Sequence, residues 1–306
     1  MLRTIEEAID NLRLDLSSPR ERSRGTISSY VQTAKTFLDW RRSMEPLSWL
    51  VPPTDLDFKR YFVWRRQNGV SERTLAKEFS HLQKLTEANK WDWPFTVDDR
   101  PVARDKSFQP ACTPGDIETL IRAREAYTNQ ELFYLAISTT WGRRREEMVK
   151  IRRTDLSETS IRIQTAKQRH GPSSTEKLIP EEIRDILLSY QPNITAVSTL
   201  SFLFARLLEK AELGQRKGWG FHSIRRTLET AIQWKLAENE LPLSLVGDYM
   251  SWSKTRASTA FGGAPMAGVY THHEVMLSGD FAVDRIILPI HPFLPLWRDT
   301  QNNIPG

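Results

Sequence analysis

Apolar residues recur at helical spacing through the first hundred positions. After Ser28, the residues Tyr30, Val31, Ala34, Phe37 and Leu38 fall three and four apart and form the stripe of an amphipathic helix. Val51-Pro52-Pro53 interrupts that pattern. Asp55 then stands as a cap before Phe58, Tyr61, Phe62 and Arg65, and Ser71 stands before Leu75, Phe79, Leu82 and Leu85. Together these segments predict a small helical bundle. Trp91 through Thr113 has no such period. It holds Pro94, Pro101, Pro110 and the run Asp98-Asp99-Arg100, and reads as an interdomain linker because proline removes a backbone donor and blocks helix continuation.

The pattern resumes at Thr113-Pro114 with Asp116, which supplies a cap, a proline at the first helical position and an acid in the first turn. One short stretch changes period: Ser160 to Thr165 alternates as a strand does, and Glu176 to Pro180 is its expected partner after Gly171-Pro172. Helices are predicted over 181–190, 201–212, 224–237 and 243–250. Ser258 to Gly268 reads as a loop, and the tail after Gly279 is apolar enough to need a docking surface, on its own domain or on a neighbour. The predicted fold class is therefore mainly α with a small β-sheet. It consists of a helical domain over 1–105 and an α+β domain over 106–306.

Composition narrows the picture. The 306 residues are 39% hydrophobic and 26% charged, with ten Trp and thirteen Phe, which supports packed cores and excludes a wholly disordered chain. No apolar run reaches the ~18 residues of a membrane span. The charged, amphipathic opening stretch lacks the apolar run of a secretory signal, so the expected location is the cytoplasm or nucleoid, or a nucleus, according to host, with no secretion and no membrane partner. The single cysteine, Cys112, permits neither an intrachain disulfide nor a cysteine-based zinc site. A net charge of +5 permits a polyanionic partner without demanding one.

Three short segments carry candidate chemistry. Gly142-Arg143-Arg144-Arg145-Glu146-Glu147-Met148 taken alone is a basic patch at a solvated helix start, but Arg144 and Glu147 lie three apart, so the acid can orient the guanidinium. His222 and Arg225 repeat that spacing in the run His222 to Thr230, where a capping histidine beside a surface arginine is the plain reading. Tyr270-Thr271-His272 follows a Gly-rich stretch. Adjacent His272 and His273 point apart on a helix and have no further ligands nearby in sequence, so no metal is expected.

The order of these motifs, with a lysine near the strand between the first two, resembles the tyrosine recombinase (phage integrase) family. The family's H-D-L-R-H-T-x-x-T run aligns with His222-Ser223-Ile224-Arg225-Arg226-Thr227-Leu228-Glu229-Thr230. Thr26 to Tyr30 with Phe37, and Ser71 to Leu75, resemble the helix starts of its core-binding domain. The resemblance spans nearly the whole chain. It implies a site-specific DNA recombinase or integrase of a mobile genetic element, acting on double-stranded DNA without metal, ATP or another cofactor. It assigns Arg144 and Arg225 to a clamp on the phosphate, supported by Glu147, and His222 to a hydrogen bond or proton transfer. Tyr270 becomes the nucleophile of a 3′-phosphotyrosyl intermediate. The general-acid lysine falls at Lys167, with Lys177 as competitor, and a phosphate-contacting indole falls at Trp252. Trp252 and Tyr270 are 18 positions apart, about twice the family's usual separation, and the extra segment suggests a flexible loop before the tyrosine. Tyr249 is a poor alternative nucleophile. Arg41, Arg42, Arg65, Arg66 and Arg73 are candidate DNA contacts. Four protomers would pass through a Holliday junction, and the tail would dock on an adjacent protomer. Two other readings stay open: a type IB topoisomerase or telomere resolvase with related chemistry, and an architectural DNA-binding protein that has lost it.

Overall fold

The computed structural model describes residues 4–17, 22–45, 52–102, 110–165, 174–251 and 281–298. The chain separates into two units, residues 1–107 and 108–306.

The first unit is built from α1 (Ile5–Ser17), α2 (Arg24–Met44), α3 (Asp55–Gln67) and α4 (Glu72–Asn89). Each apolar stripe turns inward. Leu12, Phe37, Phe58, Tyr61, Leu75, Leu82 and Leu85 have no exposed surface and share one core. The helices begin where short polar side chains satisfy the free first-turn donors. Ser71 accepts from Thr74 N ahead of α4. The cap of α3 lies one residue earlier than expected: Thr54 accepts from Asp57 N while Asp57 accepts from Thr54 N, a reciprocal capping box with Asp55 inside the helix. The expected linker also begins later than its prolines suggest. Trp91, Trp93 and Phe95 pack against this core, with the Trp93 ring 4.9 Å from Phe79 and 5.1 Å from Phe58, centroid to centroid. Alternate residues of an extended strip face inward, a period-2 pattern that the intervening Asp92 and Pro94 conceal.

The second unit contains α5 (Pro114–Arg122), α6 (Asn129–Trp141), α7 (Arg145–Met148), β1 (Ser160–Gln164), β2 (Ser174–Leu178), α8 (Glu181–Leu188), α9 (Val197–Lys210), α10 (Phe221–Glu238), α11 (Leu245–Tyr249), α12 (Ala282–Ile287) and α13 (Pro295–Arg298). The strands form an antiparallel pair with Ile161 opposite Lys177 and Ile163 opposite Thr175. Ile161 and Ile163 are buried on its inner face, and so is Lys177. Helix α6 is buried nearly all round from Phe133 to Trp141, with Ser138, Thr139 and Thr140 enclosed among its apolar residues, and runs through the middle of the core. Among the described residues no helix is long and apolar enough to cross a membrane.

The tail is settled in part. Its described portion, 281–298, packs on its own unit: Ile287, Phe293, Leu294 and Trp297 are buried in the same core as α6 and α10. His291 Nε2 lies 2.9 Å from Thr140 O, its Nδ1 accepts from Phe293 N and Leu294 N, and Arg124 donates to the carbonyls of Leu296 and Trp297.

Candidate functional site

The site begins with a glycine. Gly142 ends α6 at φ +57°, a left-handed conformation that side chains disfavour. A Cβ there would lie 2.7 Å from Met250 Cε and 3.2 Å from Leu228 Cδ2. The glycine thus lets α6, α10 and the end of α11 converge, and the next residues turn into α7.

Arg144 sits immediately before α7. Its backbone N–H donates to Glu147 Oε2 (3.0 Å) and its Nη1 donates to Glu147 Oε1 (2.8 Å). Glu147 is fully buried while the Arg144 side chain retains some exposure. The acid therefore holds the arginine from the protein side and leaves part of it facing outward. Arg225 approaches from the first turns of α10. It is buried and donates to two carbonyls, Gly142 O and Met250 O, the latter at 3.1 Å. Burial, followed by the like charge of Arg144, brings the Arg225 guanidinium down to about 9. It stays charged at neutral pH, but its environment disfavours the charge. Arg225 belongs to the interior rather than to an open helix face, and its guanidinium fork determines how α6 and α11 meet.

His222 opens α10 and is partly buried. Burial and the cations Arg145, Arg225 and Arg226 hold its imidazole below the usual value, opposed by Glu146. Its neutral form, one donor and one acceptor, is favoured at pH 7. Thr227, one turn on, donates to Cys112 O and Ser223 O, tying α10 to the segment before α5.

The two lysine candidates separate. Lys177 is buried, donates to Asp284 Oδ1 at 2.8 Å and lies 4.9 Å over the Tyr249 ring. Asp284 also accepts from Leu178 N, so α12 is fastened to β2 through one carboxylate. Burial lowers the affinity of Lys177 for its proton and Asp284 opposes that, leaving an enclosed ion pair. Lys167, Trp252 and Tyr270 lie outside the described residues, as do His272 and His273. Tyr249 is enclosed and donates to Thr140 O at 2.8 Å, with its phenol held protonated by burial. A phenol so engaged is no nucleophile, in keeping with its poor standing in the sequence.

The basic patch is where sequence and structure diverge most. Arg143 is fully buried instead of lying on a solvated helix start. Its Nη1 donates to Ser251 Oγ at 2.8 Å, while Nε and Nη2 have no hydrogen-bond partner among the described residues. Arg145 reaches Ser201 Oγ. Sequence reasoning also missed Asp284 and His291, which lie in the tail with no motif around them.

The first-unit arginines divide by burial. Arg41 is enclosed, with Nε 3.1 Å from Asp57 Oδ2 and Nη2 donating to Pro52 O, so it braces α2 against α3 and is unsuited to contacting DNA. Arg65 is also drawn inward, forked onto Glu78 beside Tyr61. Arg42 and Arg66 are exposed, paired with Asp39 and Glu72. Arg73 is exposed on α4.

Residues 9–92 match the family of phage integrase N-terminal SAM-like domains. No curated protein matches the chain in sequence. Among solved structures, the chain is similar to a lambda integrase dimer bound to a COC′ core site, with a TM-score of 0.59 at 16% identity, covering 86% of this chain and 78% of that one. It is equally similar to the Tn1549 transposon integrase in complex with circular intermediate DNA, with a TM-score of 0.59 at 16% identity, covering 88% and 99%. A lambda integrase tetramer bound to a Holliday junction follows at a TM-score of 0.56 and 15% identity, covering 84% and 77%. The chain thus shares the fold of these integrases, with a SAM-like helical domain preceding a mainly helical domain that carries a two-stranded sheet.

Proposed function

We propose that the protein is a site-specific DNA recombinase that cuts and rejoins strands through a covalent tyrosine intermediate. The observation that carries this reading is the meeting of Arg144 and Arg225 at the Gly142 turn, one held by Glu147 and the other by two carbonyls. A phosphodiester under attack accumulates negative charge on its nonbridging oxygens. Guanidinium groups fixed beforehand by the protein stabilise that charge without reorganising.

In the proposed reaction the Tyr270 phenol loses its proton, to His222 or to water, as its oxygen attacks phosphorus. A bond forms between that oxygen and the 3′-phosphate, and the bond to the 5′-oxygen breaks. Lys167 gives its proton to the departing oxygen, which becomes a free 5′-hydroxyl. His222 and Trp252 donate hydrogen bonds to the phosphate. The phosphotyrosyl bond conserves the energy of the phosphodiester, so attack by a 5′-hydroxyl restores the strand without ATP. Lys177 is left out, because its ammonium group is occupied by Asp284. Duplex DNA is the proposed partner. Arg42, Arg66 and Arg73 are the first-unit contacts that fit this role, since an exposed ion pair is worth at most about 1 kcal/mol and exchanges readily for a phosphate. Pairwise strand exchange through a tetramer on a Holliday junction is proposed for this protein too, since a lambda integrase tetramer bound to a Holliday junction is similar in structure.

The test is a nicked duplex whose cleavage releases a short fragment and so prevents rejoining. The native protein should leave a denaturation-resistant protein–DNA adduct, and Tyr270→Phe should leave none. An adduct that persists in Tyr270→Phe places the nucleophile elsewhere. Salt-sensitive binding with no adduct from the native protein supports the architectural DNA-binding reading instead.

A further inference from the structure

The charges around the arginine pair do not balance. Arg144 is bonded to Glu147, and Lys177 is bonded to Asp284. The two remaining enclosed cations, Arg143 and Arg225, converge on adjacent residues at the end of α11: Arg225 donates to Met250 O and Arg143 donates to Ser251 Oγ. Among the described residues neither is bonded to a carboxylate. The carboxylates that bear most on Arg143 are Glu147 and Asp284, each already committed to another cation. Arg143 also keeps two N–H groups, at Nε and Nη2, without partners among the described residues, although no part of the residue is exposed. Burying a guanidinium beside a like charge, with donors unsatisfied, opposes folding, and a hydrophobic side chain of similar size would not incur that cost. One serine hydroxyl does not require a full positive charge opposite it.

We propose that Arg143 is a charge-supplying positioning residue of the phosphate site, a third guanidinium behind Arg144 and Arg225 that raises the pocket's affinity for an anion. Arg143 does not reach the phosphate. It acts through space, where burial keeps solvent from screening it, and through Ser251, which it holds at φ +53° where the chain leaves α11. This rests on the reading of Arg144 and Arg225 as a phosphate clamp and extends it to the charge the clamp accommodates. Three cations against one enclosed glutamate suit a phosphate that gains a second negative charge as it reacts.

The experiment uses the full chain and inorganic phosphate as the probe, with affinity obtained from the rise of the melting temperature with phosphate concentration. Arg143→Met removes the charge at similar volume, and Arg143→Lys keeps it. The proposal expects Arg143→Met to melt no lower than the native protein without phosphate while binding phosphate about tenfold more weakly, an order of effect set by a nearby unit charge in a partly screened interior. Arg143→Lys should return affinity to within about threefold. Unchanged phosphate affinity in Arg143→Met overturns it, as does a lower melting temperature that Arg143→Lys rescues without any change in affinity. Failure of phosphate to stabilise the native protein overturns it as well. The nucleophile reading stands or falls separately on the Tyr270→Phe adduct.

Discussion

The two units handle buried arginines in opposite ways. In the first, the enclosed Arg41 has a carboxylate of its own, Asp57, as does the half-buried Arg65 in Glu78. In the second, Arg225 is held by carbonyl oxygens and Arg143 by a hydroxyl. Neutralised pairs hold helices in register and present little field to a ligand. Cations held only by dipoles keep their charge available. The contrast separates Arg41, neutralised within the fold, from Arg143 and Arg225, which the proposal assigns to an anion, though all three are buried.

Three perturbations test this contrast, in order of expected effect. The second unit takes its buried counter-charge from far along the chain, since Asp284 serves Lys177 from 107 positions away. Truncation after Gly279 removes Asp284 together with Ile287, Phe293, Leu294 and Trp297. The second unit should lose its cooperative thermal transition, because each large buried side chain alone is worth about 3 kcal/mol and Lys177 is left unpaired. A truncated protein that still melts cooperatively and has lost only oligomerisation would restore the view that the tail is an arm for a neighbour.

In the first unit, Glu78→Ala leaves Arg65 and the Tyr61 hydroxyl without their shared acceptor. The expected loss is about 3 kcal/mol in denaturant unfolding of that unit, with the phosphate affinity of the second unit unchanged. A change in phosphate affinity would show that the two sets of charges are not independent.

The smallest effect, per pH unit, is shared by both units. His81, bonded to Thr33 and stacked on Tyr30, and His291, clasped by Thr140, are each brought down to about 4 by burial. Their folded values lie below the usual 6.5, so the unfolded chain takes up protons first on acidification. The stability they contribute is complete above pH 6.5 and is lost as pH falls from 6.5 towards 4, by at most about 1.4 kcal/mol per pH unit for each histidine. Melting curves across that range should show both transitions falling, and His81→Gln should flatten only the first unit's slope.

The parts of the site legible in the sequence are those set by local spacing. Arg144 and Glu147 are three residues apart, and their bond follows from the turn they share. The glycine before them was visible as a motif, and its reason became clear only when Met250 and Leu228 closed on it. Arg143 was misread because a run of three arginines looks alike whichever member turns inward. Its direction follows from the left-handed Gly142, one residue before it. Arg41 was misread for a similar reason: a helix period identifies the inner stripe, and a long side chain at its margin can fold either way. Lys177 occupies an inward strand position, beside Ile161 and Ile163, that alternation alone assigns to an apolar residue. Trp91, Trp93 and Phe95 disappeared into a proline-rich stretch that the packing treats as an extended strip of the core.

What the sequence determined by itself was periodic or local: the helical first unit, the strand pair, the caps and the ordered motifs whose resemblance pointed to a recombinase. Such information is carried by neighbours in the chain, where backbone geometry restricts each side chain to a few directions. The tertiary structure decided which cations are neutralised and which are not, that residues 281–298 pack on their own unit, and that Asp284 and His291 reach residues more than a hundred positions away. Those outcomes depend on which surfaces meet when the apolar stripes are buried. Burial is favourable in proportion to area and is indifferent to sequence distance, so the charges it encloses find their partners only once the elements have packed.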